Sequence, residues 1–132
     1  MDISIVLYVI FAHWVADFVL QTDWQAQNKS KNNLALLKHT SIYSLTMSIG
    51  LSSILVINYG LNESELYVGT FITIGYFGLI TFVAHTITDY FTSRINSRLW
   101  GRKEVHNFFV SVGFDQFLHY AQLFITLQYL FN

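Results

Sequence analysis

The chain has no cysteine, and only 11% of its residues are charged, against roughly 25% in an ordinary globular domain. The first absence excludes disulfide frameworks, thiolate metal sites and cysteine nucleophiles. Positive charge is scarce as well: seven Lys and Arg against eight Asp and Glu leave a formal net charge of −1. That balance lacks the electrostatic footprint of a nucleic-acid-binding protein, and no nucleic-acid partner is expected. What fills the chain instead is apolar. Hydrophobic residues make up 53% of it, aromatic residues 17%, and mean hydropathy is +0.42. Such a composition predicts an integral membrane protein whose first partner is the lipid bilayer. A spanning helix takes about 20 mostly apolar residues, so four spans use about 80 of the 132 and leave about 50 for connections and ends. No separate soluble domain fits, and residues 1–132 read as one all-α domain, a bundle of four transmembrane helices.

The first apolar run, ISIVLYVIFAHWVADFVLQ, extends from Ile3 to Gln21. No positive charge precedes it and no small-x-small cleavage site follows before Asp17, so it reads as a retained helix and not as a cleaved signal. Further spans are expected at about Leu34 to Ile57, Leu66 to Phe91 and Asn107 to Leu130. Between the first two, TDWQAQNKSKNN carries Thr22-x-x-Gln25, a capping-box pattern that predicts a short interfacial helix. In the second connection, Asn62-x-x-Glu65 is a start signal for the third span. The third connection, TSRINSRLWGRKEVH, is basic and is expected to prolong the preceding helix beyond the membrane. Lys29, Lys31 and Lys38 surround the first connection, Arg94, Arg98, Arg102 and Lys103 lie in the third, and the second has no positive residue. The positive-inside rule then makes the first and third connections cytoplasmic and both termini extracytoplasmic. Trp24 and Trp100 fall near the inner interface and Tyr59, Tyr67 and Tyr129 near the outer one. Gly69, Gly75, Gly78, Ala12 and Ala16 are the small residues expected to let helices approach closely.

Three of the four expected spans carry one pair at one spacing: His13-x-x-x-Asp17, His85-x-x-x-Asp89 and, reversed, Asp115-x-x-x-His119. His39 stands alone in the second span. Residues i and i+4 share a helix face, so each pair projects its imidazole and carboxylate the same way. With a rise of about 1.5 Å per residue, all seven residues fall in the cytoplasmic half or near the midplane. Topology from Lys and Arg, and depth from the span positions, thus agree on where these groups meet. An idle arrangement is expensive, because one Asp at the centre of a span costs about 2.5–3.5 kcal/mol and three approach about 10. Protonation of the aspartates, pairing with histidine, or a bound cation would each compensate. Four imidazoles and three carboxylates without sulfur form a set suited to a divalent transition metal such as zinc, iron, manganese or cobalt. His13, Asp17, His39, His85, Asp89, Asp115 and His119 are the ligand candidates, for two ions sharing a carboxylate or for one ion with supporting carboxylates. Gln21 continues the His13/Asp17 face and Gln116 adjoins Asp115, so both are candidates for ligand support or substrate contact. Lys29, Lys38 and Arg94 set topology and lie where the site would open, on the side from which an anionic head group would approach. His106 reads as an ordinary interfacial residue.

The segments HWVADFVLQTDWQAQNK from His13 to Lys29, the lone His39, HTITDY from His85 to Tyr90 and DQFLH from Asp115 to His119 touch all four spans. Together they resemble an uncharacterised bacterial and phage membrane family, domain of unknown function 3307. The resemblance implies a multi-pass protein of the bacterial cytoplasmic membrane, and it sets Gln21, Lys29 and Gln116 beside the ligand candidates. Where relatives often have Lys soon after the second Asp, this chain has Thr92-Ser93-Arg94. The family carries no assigned reaction. In style the chain is also similar to families labelled membrane-bound metal-dependent hydrolases, an analogy only. The leading expectation is a metal-dependent hydrolase acting at the cytoplasmic side on a lipid-linked or phosphoester substrate, with Asp17 or Asp115 as general base. Two alternatives stay open. One is a transport or electron-transfer module for a metal, protons or haem, which would work as a homo-oligomer because four helices leave little room for alternating access. The other is a small structural subunit of a membrane complex.

Overall fold

The computed structural model describes residues 3–59 and 68–130. Helix α1 (Ile3–Trp14) runs into a π-helical turn (Val15–Val19), followed by the short α2 (Asp23–Asn28) and the long α3 (Asn33–Tyr59), α4 (Val68–Gly101) and α5 (Val105–Leu130). There is no strand among the described residues. Two stretches, Asn33–Ile57 of 25 residues and Gly69–Gly101 of 33, are long and apolar enough to cross a membrane, while Ile3–Val19 is apolar but shorter. Helix α5 has 26 residues, but Asp115, Gln116, His119 and Gln122 interrupt its apolar run. Asn62, Glu65 and Tyr67, and the side chain of Tyr59, lie outside the described residues.

Polar side chains are buried here while large apolar ones cover much of the outer face. His13, His39, His85, Asp89 and His119 are at most 1% exposed, whereas Leu45, Phe109, Phe117 and Ile125 are more than 60% exposed. Burying apolar surface in water gains about 25 cal/mol per Å², and this fold forgoes that gain over most of its outer face. Lipid around the helices would remove that conflict and would require polar groups to find partners inside.

Helix α4 packs against α3 and α5, and α3 packs against α1. A hydrogen bond between His13 and Gln116 joins α1 to α5 and closes the ring. One half of the interior is apolar, with Val9, Met47, Leu51, Phe77 and Leu123 in one cluster. The other half holds the histidines and aspartates. At Gly78, on the α3–α4 approach, a Cβ would come 2.5 Å from Ser48 Oγ, so a larger residue there would require the serine hydroxyl to rotate away. Gly69 and Gly75 face open space instead, so the expectation that they permit close packing is corrected. Ala12 and Ala16 are buried.

Helix α4 continues past the expected end at Phe91 to Gly101, because its last turns are polar and project beyond the apolar stretch. At about 1.5 Å per residue its 34 residues reach about 51 Å, more than the roughly 30 Å of a hydrocarbon core. It ends in a Schellman turn, in which Glu104 N donates to Leu99 O and Lys103 N to Trp100 O, both at 3.0 Å. Lys103 takes the left-handed position at φ 60°, a cost of about 1 kcal/mol that Gly101, two residues early, does not relieve. Arg94 in α4 donates to Asn33 Oδ1 at the start of α3 (3.1 Å), so the basic residues of both connections share one end of the bundle.

Candidate metal centre

The site is assembled from five local arrangements. In the π turn, Leu20 N donates to Val15 O at 2.9 Å, five residues back, and the extra residue per turn lets Ala16 and Asp17 both face inward beside His13. In α2, Gln25 N donates to Thr22 Oγ1 (3.3 Å) and Thr22 N to Gln25 Oε1 (2.8 Å), the capping box expected from the sequence. That box fixes α2 so that Lys29, at its C-terminal cap, projects its ammonium inward to Asp89 Oδ2 at 2.7 Å. Helix α3 supplies His39 and, one turn on, Tyr43. Helix α4 supplies His85, Asp89 and Thr92, and α5 supplies Asp115 and His119, all of them buried.

Four atoms from three elements converge: Asp17 Oδ1, His39 Nε2, His85 Nε2 and Asp89 Oδ2. His39 lies 3.1 Å from Asp17, 3.3 Å from His85 and 3.4 Å from Asp89, and His85 lies 3.6 Å from each carboxylate. A tetrahedral ion with ligands at about 2.0–2.1 Å separates them by about 3.3–3.4 Å. Within Asp17, His39 and His85 the spacings of 3.1, 3.3 and 3.6 Å bracket that value, while Asp89 Oδ2 lies near both histidines and accepts from the Lys29 ammonium at 2.7 Å. One ring nitrogen with three polar neighbours at this distance can donate to one of them at most, whereas lone pairs facing a common centre account for all three. On the far side of Asp89, its Oδ1 and Asp115 Oδ1 each lie 3.3 Å from His119 Nε2, yet this buried nitrogen makes no aligned hydrogen bond. The rings of His85 and His119 stack at 4.0 Å, and Tyr43 stacks on His85 at 3.8 Å. Two buried sets result, Asp17/His39/His85 and His85/Asp89/His119, and either group could hold a metal ion.

Three buried carboxylates face one ammonium, and the two remaining negative charges would be cancelled either by a divalent cation with neutral imidazoles or by protonation of two imidazoles. Burial alone would lower the pKa of Lys29, but the carboxylates of Asp89 and Asp17 outweigh it and raise it above the ordinary lysine value, so the ammonium stays charged.

The other expected residues fall in different places. His13 is fully buried but joins neither set, because both ring nitrogens are engaged: Nδ1 with the Tyr43 hydroxyl at 2.7 Å and Nε2 with Gln116 Oε1 at 2.8 Å. The Gln116 amide donates to Asp17 Oδ2 and Asp115 Oδ2, both at 3.2 Å, which orients its oxygen towards His13 Nε2–H and leaves Nδ1 to accept from Tyr43. Asp115 accepts from Thr92 Oγ1 at 2.6 Å. Gln21 is half-buried beyond the π turn and bonds to none of these groups. Lys38 is exposed, with its ammonium 5.5 Å from the Trp24 ring, and so lies away from the cluster. Arg94 lies over the Tyr90 ring at 3.7 Å. His106 is exposed. Sequence reasoning passed over Tyr43 and Thr92. The signal for both was helical spacing, Tyr43 being i+4 from His39 and Thr92 i+3 from Asp89.

No curated protein and no solved structure matches the chain. One family model does match, over residues 5–132, and therefore covers every residue of the cluster. The chain belongs to the protein family of unknown function DUF3307.

Proposed function

We propose that the protein is a membrane-embedded metal-dependent hydrolase acting at the cytoplasmic face of a bacterial inner membrane. In this reading the chain crosses four times, with α1 and α5 as the additional spans and both termini outside. The substrate is a lipid-linked or phosphoester compound. The observation that carries the reading is the convergence of Asp17, His39 and His85, at spacings of 3.1–3.6 Å, in a buried pocket beside Asp89. The nitrogen and oxygen donors favour zinc, iron or manganese, and the two carboxylate oxygens of Asp89 face different histidines, an arrangement suited to one ion or to two sharing Asp89. A bound cation supplies Lewis acidity and stabilises negative charge on the attacked group.

The chain's own residues do the rest. Asp17 and Asp89 each belong to one of the two ligand sets, which leaves Asp115 as the carboxylate outside both and able to take a proton from an attacking water. Thr92 and Gln116 hold Asp115 in place by hydrogen bonds at 2.6 and 3.2 Å. With a single ion in the Asp17/His39/His85 set, His119, 3.3 Å from Asp115, is placed to pass that proton to the leaving group. His13, braced by Tyr43 and Gln116, fixes the Gln116 amide that in turn orients Asp17 and Asp115.

The test is chelator-sensitive release of inorganic phosphate from a short-chain lipid phosphate by the purified protein. Asp115→Asn should retain metal and lose about 10²–10⁴ in rate, as expected when a general base is removed. Metal-loaded protein with no chelator-sensitive turnover on any phosphoester or lipid-linked substrate tried would refute the hydrolase. A second reading, a conduit for protons or metal ions, is favoured by one feature: Gln122 donates to Thr81 (3.3 Å) and Thr126 (3.0 Å), extending polar contacts beyond His119. Gln122→Leu abolishing ion flux in liposomes while sparing turnover would favour it.

A further inference from the structure

A cavity of about 560 Å³ opens between the segment after α2 and the cytoplasmic ends of α4 and α5. Its volume falls in the roughly 300–1,000 Å³ range of small-molecule sites. Its walls are of two kinds. Lys31, Ser93 and Asn96 line one part, Trp100, Phe108 and Val112 another, and no Asp or Glu takes part. Ser93, nine-tenths buried, and Asn96 each present a buried oxygen, Ser93 Oγ and Asn96 Oδ1, that has no hydrogen-bond partner. Such atoms are costly unless something else meets them. Lys29 lines the same cavity and bonds to Asp89, so one side chain separates the cavity from the metal centre. Lys31 makes no ion pair among the described residues, which leaves its charge free for a ligand. The aromatic wall is open to the apolar outer face, Trp100 being 60% and Phe109 64% exposed.

We infer that this cavity binds an anionic amphiphile, with a phosphate-type head on Lys31, Ser93 and Asn96 and an acyl chain passing along Trp100, Phe108 and Val112 into the bilayer. A serine hydroxyl and a lysine ammonium donate to the phosphate oxygens, and Asn96 meets the head through its amide or through a hydroxyl or protonated oxygen of the ligand. The inference rests on the hydrolase reading, for which it supplies the substrate class and the entry route, and it is tested separately from that reading.

The probe is a short-chain, ether-linked phosphonate analogue of phosphatidic acid, which cannot be hydrolysed, titrated calorimetrically into the full chain in neutral detergent. One probe should bind per chain. Inorganic phosphate, which lacks the chains, and the matching dialkylglycerol, which lacks the head, should each bind at least tenfold more weakly. Removing charge at the exposed Lys31 with Lys31→Gln should weaken the probe about fivefold, and filling the cavity with Val112→Trp should weaken it more than tenfold. Both variants should keep the metal content of the unsubstituted chain, which also reports that they fold. Equal binding of all three probes, or unchanged probe binding in Lys31→Gln, overturns the cavity assignment while leaving the metal centre standing. Saturable probe binding that these variants weaken, in a chain that holds no metal, supports the cavity and fails the hydrolase instead.

Discussion

Replacing Lys29 by methionine keeps most of the apolar stem and deletes the ammonium that lies 2.7 Å from Asp89 Oδ2. In metal-free protein this leaves the buried Asp89 carboxylate without its nearest positive charge. Removing one partner of a buried pair costs about 3–5 kcal/mol, and the 18% exposure of the Lys29 side chain argues for the lower end, about 3 kcal/mol. A cation held by Asp89 Oδ2 would sit about 4 Å from the ammonium, given a ligand distance of about 2 Å. At an effective dielectric of about 20 the repulsion between a divalent ion and the ammonium reaches about 8 kcal/mol, so deleting the ammonium should tighten metal binding while destabilising the apo form. Thermal unfolding followed by tryptophan fluorescence, with chelator and then with excess divalent metal, separates the two effects. The deficit of Lys29→Met should be about 3 kcal/mol without metal and should largely close with metal at about a hundred times its Kd, where binding itself contributes about 2.7 kcal/mol. An unchanged apo stability, or a deficit that metal does not narrow, would refute the charge argument and leave Lys29 as the permanent counter-ion of a network without metal.

His39→Ala removes the nitrogen with three polar neighbours and should abolish stoichiometric metal, whereas His13→Phe, outside both sets, should keep the metal and weaken it by about 10–100-fold; competition against a chromogenic chelator measures both. Acidification should release the metal, because imidazoles ligate only when neutral, and the release should follow the loss of thermal stabilisation in parallel titrations. Because the chain has no cysteine, single substitutions Arg98→Cys and Tyr129→Cys can be labelled without background: an impermeant maleimide should reach the first only from the cytoplasmic side and the second only from the outside. Labelling of both from one side would overturn the four-span topology.

The sequence made the cluster legible because two constraints acted on it at once. Ionisable groups are rare in apolar helices, so their positions stand out, and i,i+4 spacing fixes the face each pair occupies. The capping box at Thr22 and Gln25 was legible for a similar reason, being a local pattern with a local hydrogen-bonding consequence. What escaped depends on tertiary geometry. The π turn at Val15–Val19, in which the adjacent Ala16 and Asp17 are both buried, leaves no compositional mark. His13 shares the spacing of His85 but meets Tyr43 and Gln116 from other helices, contacts that no single-helix pattern encodes. Lys38 and Lys29 look alike in the sequence; Lys29, at the C-terminal cap of α2, meets Asp89, whereas Lys38, on the exposed face of α3, lies over Trp24.

The central claim is that histidines and aspartates from separate helices surround a common cation. X-ray absorption at the metal edge, with elemental analysis of protein purified without chelators, tests it most directly. At least one divalent transition metal per chain should appear, in a shell of nitrogen and oxygen only at about 2.0–2.2 Å, with imidazole scattering that diminishes in His39→Ala. A chain that folds and retains its helices with no stoichiometric metal, or one whose metal shell is unmoved by His39→Ala, would contradict the account.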